Sequence, residues 1–193
     1  MYRLAVGIGV VFLLTLNGCS PKSNPESKSA APSWLVNGKL CYWRDTDTLK
    51  QKLNCNDRIF PTSYRILDSN YPELKKLLVK EGSTPGELAP DTIAIDIPMP
   101  DGSWEPFKIN QVQVMAKELA AKYPDIKTYS GKSQIYPSDN IRLDISSKGV
   151  RVMILSTRGS IMIDPYCNND EFHVISYFRK NLPENSKEDF ERN

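Results

Sequence analysis

The chain carries a single histidine in 193 residues. A His-Glu-x-x-His zinc site needs two imidazoles on one helix face, with the glutamate as base, so that chemistry is excluded. A phosphate-binding glycine loop is lacking too. Gly7-x-Gly9 lies inside an N-terminal apolar run and has no strand before it, which the dinucleotide fingerprint requires. Neither sign of charge dominates: 25 Lys and Arg stand against 23 Asp and Glu, a formal net charge of +2. Nucleic-acid binding needs a basic patch or stripe, so no nucleic-acid partner is expected. No cofactor, metal or catalytic residue is expected from these residue types, and the chain is read as a non-enzyme. Long apolar runs are absent apart from Leu4 to Leu16, and that one is shorter than the roughly 20 residues of a membrane-spanning helix.

What is present begins with that run. Arg3 supplies a positive flank, Leu4 to Leu16 the apolar stretch, and Leu16-Asn17-Gly18-Cys19 ends it with a small residue before a cysteine. This is the pattern of a bacterial lipoprotein signal. Residues 1–18 are expected to be removed and Cys19 to be lipidated. The lipoproteins this resembles carry several acyl chains, which hold a protein to membrane durably where a single chain does not. Ser20 follows Cys19 where an aspartate would resemble an inner-membrane retention signal, so a lipid-anchored place in the cell envelope, at the outer membrane, is expected. Residues 19–33 run on as CSPKSNPESKSAAPS, free of apolar periodicity. They read as a disordered tether with a span of about 20 Å.

The rest is ordinary globular material, 40% hydrophobic and 25% charged over the whole chain, enough for one domain with a core. With Cys19 assigned to lipid, Cys41, Cys55 and Cys167 remain. Export to an oxidising space makes a disulfide plausible. Cys41 and Cys55 are close in sequence and are expected to pair, closing a loop of about 15 residues for about 3 kcal/mol in the chain-entropy model. Cys167 is then left over, either buried and inert or exposed and reactive.

Asp57 to Leu67 suggests a strand interrupted by Pro61. Pro72, with Ser69 or Asn70 as cap, opens a helix whose Leu74, Leu77 and Leu78 share a face; Lys80 falls in its last turn and Gly82 ends it. Ile93, Ile95, Ile97 and Met99 alternate with Thr92, Ala94 and Asp96 as in a half-buried strand. Pro100-Asp101-Gly102 makes a turn, and Trp104 to Val114 returns as a strand, in which Pro106 hints at an edge or bulge. Ala116, Leu119, Ala120 and Tyr123 share a second helical face that Pro124 stops. Ile141 to Ile145, Val150 to Leu155, Ile161 to Ile163 and Phe172 to Phe178 follow as short strands between turn residues. The fold class is therefore α+β: an antiparallel β-sheet or meander with two short helices, forming one domain over residues 34–180, with 181–193 a flexible charged tail.

Several blocks, in this order, carry a family resemblance. They are Ile95 to Ser103, Met115 to Ala120, Tyr123 to Tyr129, Gly149, Met153-Ile154, Gly159, Ile163 to Tyr166 and His173 to Tyr177. Together, over roughly residues 60–180, the chain resembles the propeptide-side N-terminal region of bacterial secreted, reprolysin-like zinc metallopeptidases. The resemblance implies folding assistance, latency or adhesion-like packing, with the catalytic domain lacking here. A metallopeptidase or another envelope protein is thus the expected partner, alongside the membrane reached through Cys19. A structural or surface-binding lipoprotein with no protease link is the alternative. Propeptides of such enzymes can cap zinc with a cysteine thiolate. Cys167, in a polar loop, is the candidate for such a cap or for a protein contact.

Other residues are weighed against plain structural roles. His173 alternates with apolar neighbours and lacks an identifiable nucleophile beside it; it is read as a polar-face or partnered core imidazole. Asp91, Asp96 and Asp101 lack the spacing of a calcium loop and are read as strand and turn residues. Trp34, Trp43 and Trp104 are read as core in preference to a carbohydrate platform.

Overall fold

A computed structural model describes residues 34–36, 38–46, 55, 61–79, 92–168 and 170–184. The signal segment, Cys19, the tether, Lys80, Gly82, Asp91 and the last residues of the tail lie outside the described residues.

A small hairpin comes first, β1 (Leu35–Val36) with β2 (Lys39–Leu40). Nine strands then form one antiparallel sheet: β3 (Trp43–Asp45), β4 (Arg65–Ser69), β5 (Ile93–Pro98), β6 (Trp104–Val112), β7 (Lys127–Ser133), β8 (Asn140–Ser146), β9 (Gly149–Leu155), β10 (Ile161–Pro165) and β11 (His173–Phe178). Their order is β3-β4-β11-β10-β9-β8-β7-β6-β5. From β5 to β11 this is the expected meander, and the fold is mainly β with two helices, α1 (Tyr71–Leu78) and α2 (Lys117–Lys122). The non-local step is β4 against β11, Val174 opposite Leu67 and Ile175 opposite Ile66.

Period-two burial sets the register. Ile141, Leu143 and Ile145 of β8 face inward, as do Val150, Val152 and Ile154 of β9, while Arg142, Arg151 and Leu155 face out. A one-residue slip would expose each set. The inward faces of β3 through β11 meet in a single cluster with Tyr71, Leu74 and Leu78 of α1. One face serving all nine strands means that the sheet curls into a nearly closed barrel. Gly131 of β7 is required by the approach of β6, since a Cβ there would meet the Lys108 carbonyl oxygen at 1.9 Å.

Because every neighbour is antiparallel, the barrel has two distinct ends. At the helix end lie α1, α2 and the β8–β9 turn. Pro72 stands in the first turn of α1, which begins after Asn70, although no side chain caps it. The helix stops at Leu78, ahead of the expected Lys80. Tyr71 donates its hydroxyl to Ser146 O, and Tyr129 donates to Leu78 O, so α1 crosses beneath β8 and β7. At the opposite, open end lie the β5–β6 turn, where Gly102 takes φ +92°, and the β7–β8 and β9–β10 connections.

Two expectations change. Pro106 is not on an edge, since β6 lies between β5 and β7. Its carbonyl accepts from Gln134 N at 2.8 Å, past the last β6–β7 pair, Phe107 with Ser133. One strand residue points its N–H and C=O to the same side, so the missing N–H faces the end of β7 and removes no ladder bond. The domain also runs beyond residue 180. Thr62 N donates to Asn181 O at 2.8 Å and Asn181 Nδ2 to Ser63 O at 3.1 Å, while Leu182 packs on an outer cluster with Tyr166, Ile175 and Tyr177. The second helix forms as expected, as α2, and none of its residues is buried.

Candidate functional site

The sheet's outer strands, β3 and β5, come together without pairing, and a side chain from β4 bridges them. Arg65 is held by Asp45 of β3 through Nε to Oδ1 at 2.6 Å and Nη2 to Oδ2 at 2.7 Å. Its Nη1 donates to Met99 O and Ser103 O at 2.9 and 3.0 Å, beyond the end of β5. The guanidinium stacks 4.8 Å from the Trp104 ring centroid, and only 9% of the side chain is exposed. The planar fork of arginine suits this set of acceptors; an ammonium cannot span it.

Below this latch the seam opens into a cleft of about 250 Å³. Leu40, Tyr42 and Trp43 line it from one side, and Ala94, Ile95, Asp96 and Trp104 from the other. Lys39 pairs with Asp96 at its rim. Burial, with the Glu73 charge adding to it, holds the Tyr42 phenol above its ordinary pKa, against the smaller opposing effect of Lys39, so the cleft presents neutral aromatic groups and one satisfied ion pair. Such a lining suits a small apolar or amphipathic group.

The expected site residues are dispersed. Trp43 and Trp104 do share the cleft, but Trp43 is 1% exposed and forms core, not a platform. Trp34 stacks elsewhere, under Arg44. Asp101 accepts from Ser103 N and Oγ within its turn. Burial would raise its pKa, yet these bonds and the Arg158 charge bring it below the ordinary value. His173 Nδ1 lies 3.0 Å from Asp170 Oδ2 at the helix end, which gives the imidazole its partner.

The disulfide expectation is corrected. Cys55 bonds Cys167, 112 residues away, with their Cα atoms 5.3 Å apart; Cys41, buried at 4%, is not its partner. The two joined cysteines pack on the outer cluster of β4, β10 and β11, so proximity in space, not in sequence, decides the pairing. A disulfide sulfur is no thiolate, which removes Cys167 as a zinc cap in this state.

A second charged node went unread in the sequence. Arg158, in the β9–β10 turn, donates from Nη2 to Glu105 Oε2 and to Asp139 Oδ2, each at 2.7 Å, and stacks 4.1 Å from the Tyr136 ring centroid. The two carboxylate side chains are only 3% and 1% exposed. Burial works to raise the Asp139 pKa, but hydrogen bonds from Arg158, Ser156 and Ser138 and the Arg158 charge hold it below the ordinary value. Burial likewise opposes the Arg158 charge, and the two carboxylates more than offset it. The sequence signals this node only as a turn, Arg158-Gly159.

No family model, curated protein or solved structure matches the chain.

Proposed function

We propose that the chain is a lipid-anchored envelope protein whose β-domain is a non-catalytic binding module. Leu16-Asn17-Gly18-Cys19 at the end of the apolar run carries this reading. The internal Cys55–Cys167 disulfide fits export to an oxidising space. Among the described residues no helix is long and apolar enough to cross a membrane.

For the partner we propose an exported zinc metallopeptidase, kept latent or assisted in folding, and the ordered sequence blocks alone support that choice. The test has two parts. Fatty-acid labelling and mass spectrometry of the N-terminal peptide should find acyl chains on Cys19, lost in Cys19→Ser; an unmodified, uncleaved N-terminus overturns the anchor. Purified chain should slow an exported metallopeptidase of the same cell or raise its refolding yield. No effect on either removes the protease and leaves a lipoprotein with another partner.

A further inference from the structure

Among the described residues, four exposed apolar side chains stand close in sequence around α2 at the helix end. Val114, Leu119, Tyr123 and Ile126 are 54%, 44%, 53% and 37% exposed. Leu119 and Tyr123 are four apart on one face of α2 and its C-cap, while Val114, Ala120 and Ile126 border one shallow groove beside it. A helix whose apolar face is only partly covered by its own domain is suited to an interaction surface.

Charge around the patch narrows the occupant. Lys117, Lys122 and Lys127 flank it, and none is in an ion pair among the described residues. Arginines are mostly paired, as in Arg44–Asp68, Arg65–Asp45 and Arg151–Asp164, whereas lysines such as Lys108, Lys132 and Lys148 are also without an ion pair among the described residues; what sets the three apart is that they border an exposed apolar face. Glu118 and Asp125 offset part of the charge, so apolar insertion supplies most of the attraction and the lysines the preference for anionic lipid.

The chain's path supplies the second argument. Trp34, where the described domain starts, is stacked by Arg44, which pairs with Asp68 of β4 next to the residue that ends the strand. The tether therefore joins the domain toward the end that holds α1 and α2. On the lipid-anchor reading, the fifteen residues from Cys19 to Ser33 join this end of the domain to the bilayer and hold it there at high effective concentration.

We propose that the α2 face docks on the anionic membrane surface, with Leu119 and Tyr123 inserted at the headgroup level and the open end turned away. This rests on the lipid-anchor reading, but its test does not need the anchor. Signal-cleaved chain carrying Cys19→Ser is sedimented with phosphatidylcholine vesicles and with vesicles also containing phosphatidylglycerol. It should bind the anionic vesicles better than the neutral ones, and raised salt should weaken that binding. Leu119→Glu/Tyr123→Glu should reduce binding at least about tenfold with an unchanged unfolding midpoint, because neither side chain is buried. Wild-type chain that ignores both vesicles, or a double variant that binds as well as wild type, overturns the proposal. So does concentration-dependent self-association abolished by the same variant, which assigns the face to a second copy. Failure of acylation at Cys19 is read separately, from the mass of the N-terminal peptide.

Discussion

At the scale of single residues, Arg158 does work that hydrophobic patterning cannot. Arg158 neutralises Glu105 and Asp139 at once, and both carboxylates are shut off from water. Removing one partner of a buried ion pair is far more harmful than the pair is helpful, because the remaining charge stays desolvated. Arg158→Ala should therefore destabilise the domain by about 3 kcal/mol, the lower part of the range for such changes, since 36% of the Arg158 side chain faces water. Urea unfolding measures it. Acid gives an independent check of sign. The folded pKa of Asp139 is lowered from 3.8, so its contribution is present above that value and lost as pH falls below it. The Arg158→Ala variant should lose less stability over that acid range than wild type does.

Elements were legible where one chemical face repeats. Ile93, Ile95 and Ile97 alternate in sequence and face the core in β5, because period two leaves a half-buried strand no other register. The same logic stops short on α2. Helical spacing tells which residues share a face, not what covers it, and Leu119 and Tyr123 are uncovered. Likewise the pairing of β4 with β11 and of Cys55 with Cys167 joins residues far apart in sequence, and no local pattern encodes those contacts. The docking of α1 gives a test at this scale. Tyr129 is 0% exposed and donates to Leu78 O at the helix's last residue. Burial pushes its phenol from 10.0 to about 12. A raised folded pKa means that stability is whole below pH 10 and falls as pH climbs toward 12, by roughly 3 kcal/mol from this group. Alkaline melts followed by circular dichroism should show the fall. Tyr129→Phe should start about 1 kcal/mol less stable, having lost its hydrogen bond, and should decline less over the same interval.

On the scale of the whole molecule, the meander from β5 to β11 is a chain of neighbours, and the N-terminal strands must be fastened to it. Three devices do this: the β4–β11 ladder, the Arg65 latch from β3 to the β5–β6 turn, and the Cys55–Cys167 bond. The disulfide spans 112 residues. Loop closure on that scale restricts the unfolded chain by about 4–5 kcal/mol in the entropy model, a large part of the roughly 5–15 kcal/mol that holds a domain folded. Cys55→Ala and Cys167→Ala should each lower the urea midpoint by more than about 1 M, given about 4–5 kcal/mol and a slope of about 1–3 kcal/mol per M. The double variant should be no worse than either single one, because all three lose the same bond. Cys167 is the decisive position. Were Cys55 joined to Cys41 across their short loop, Cys167→Ala would leave the midpoint close to wild type; the 5.3 Å between the Cα atoms of Cys55 and Cys167 requires that it fall as far as in Cys55→Ala.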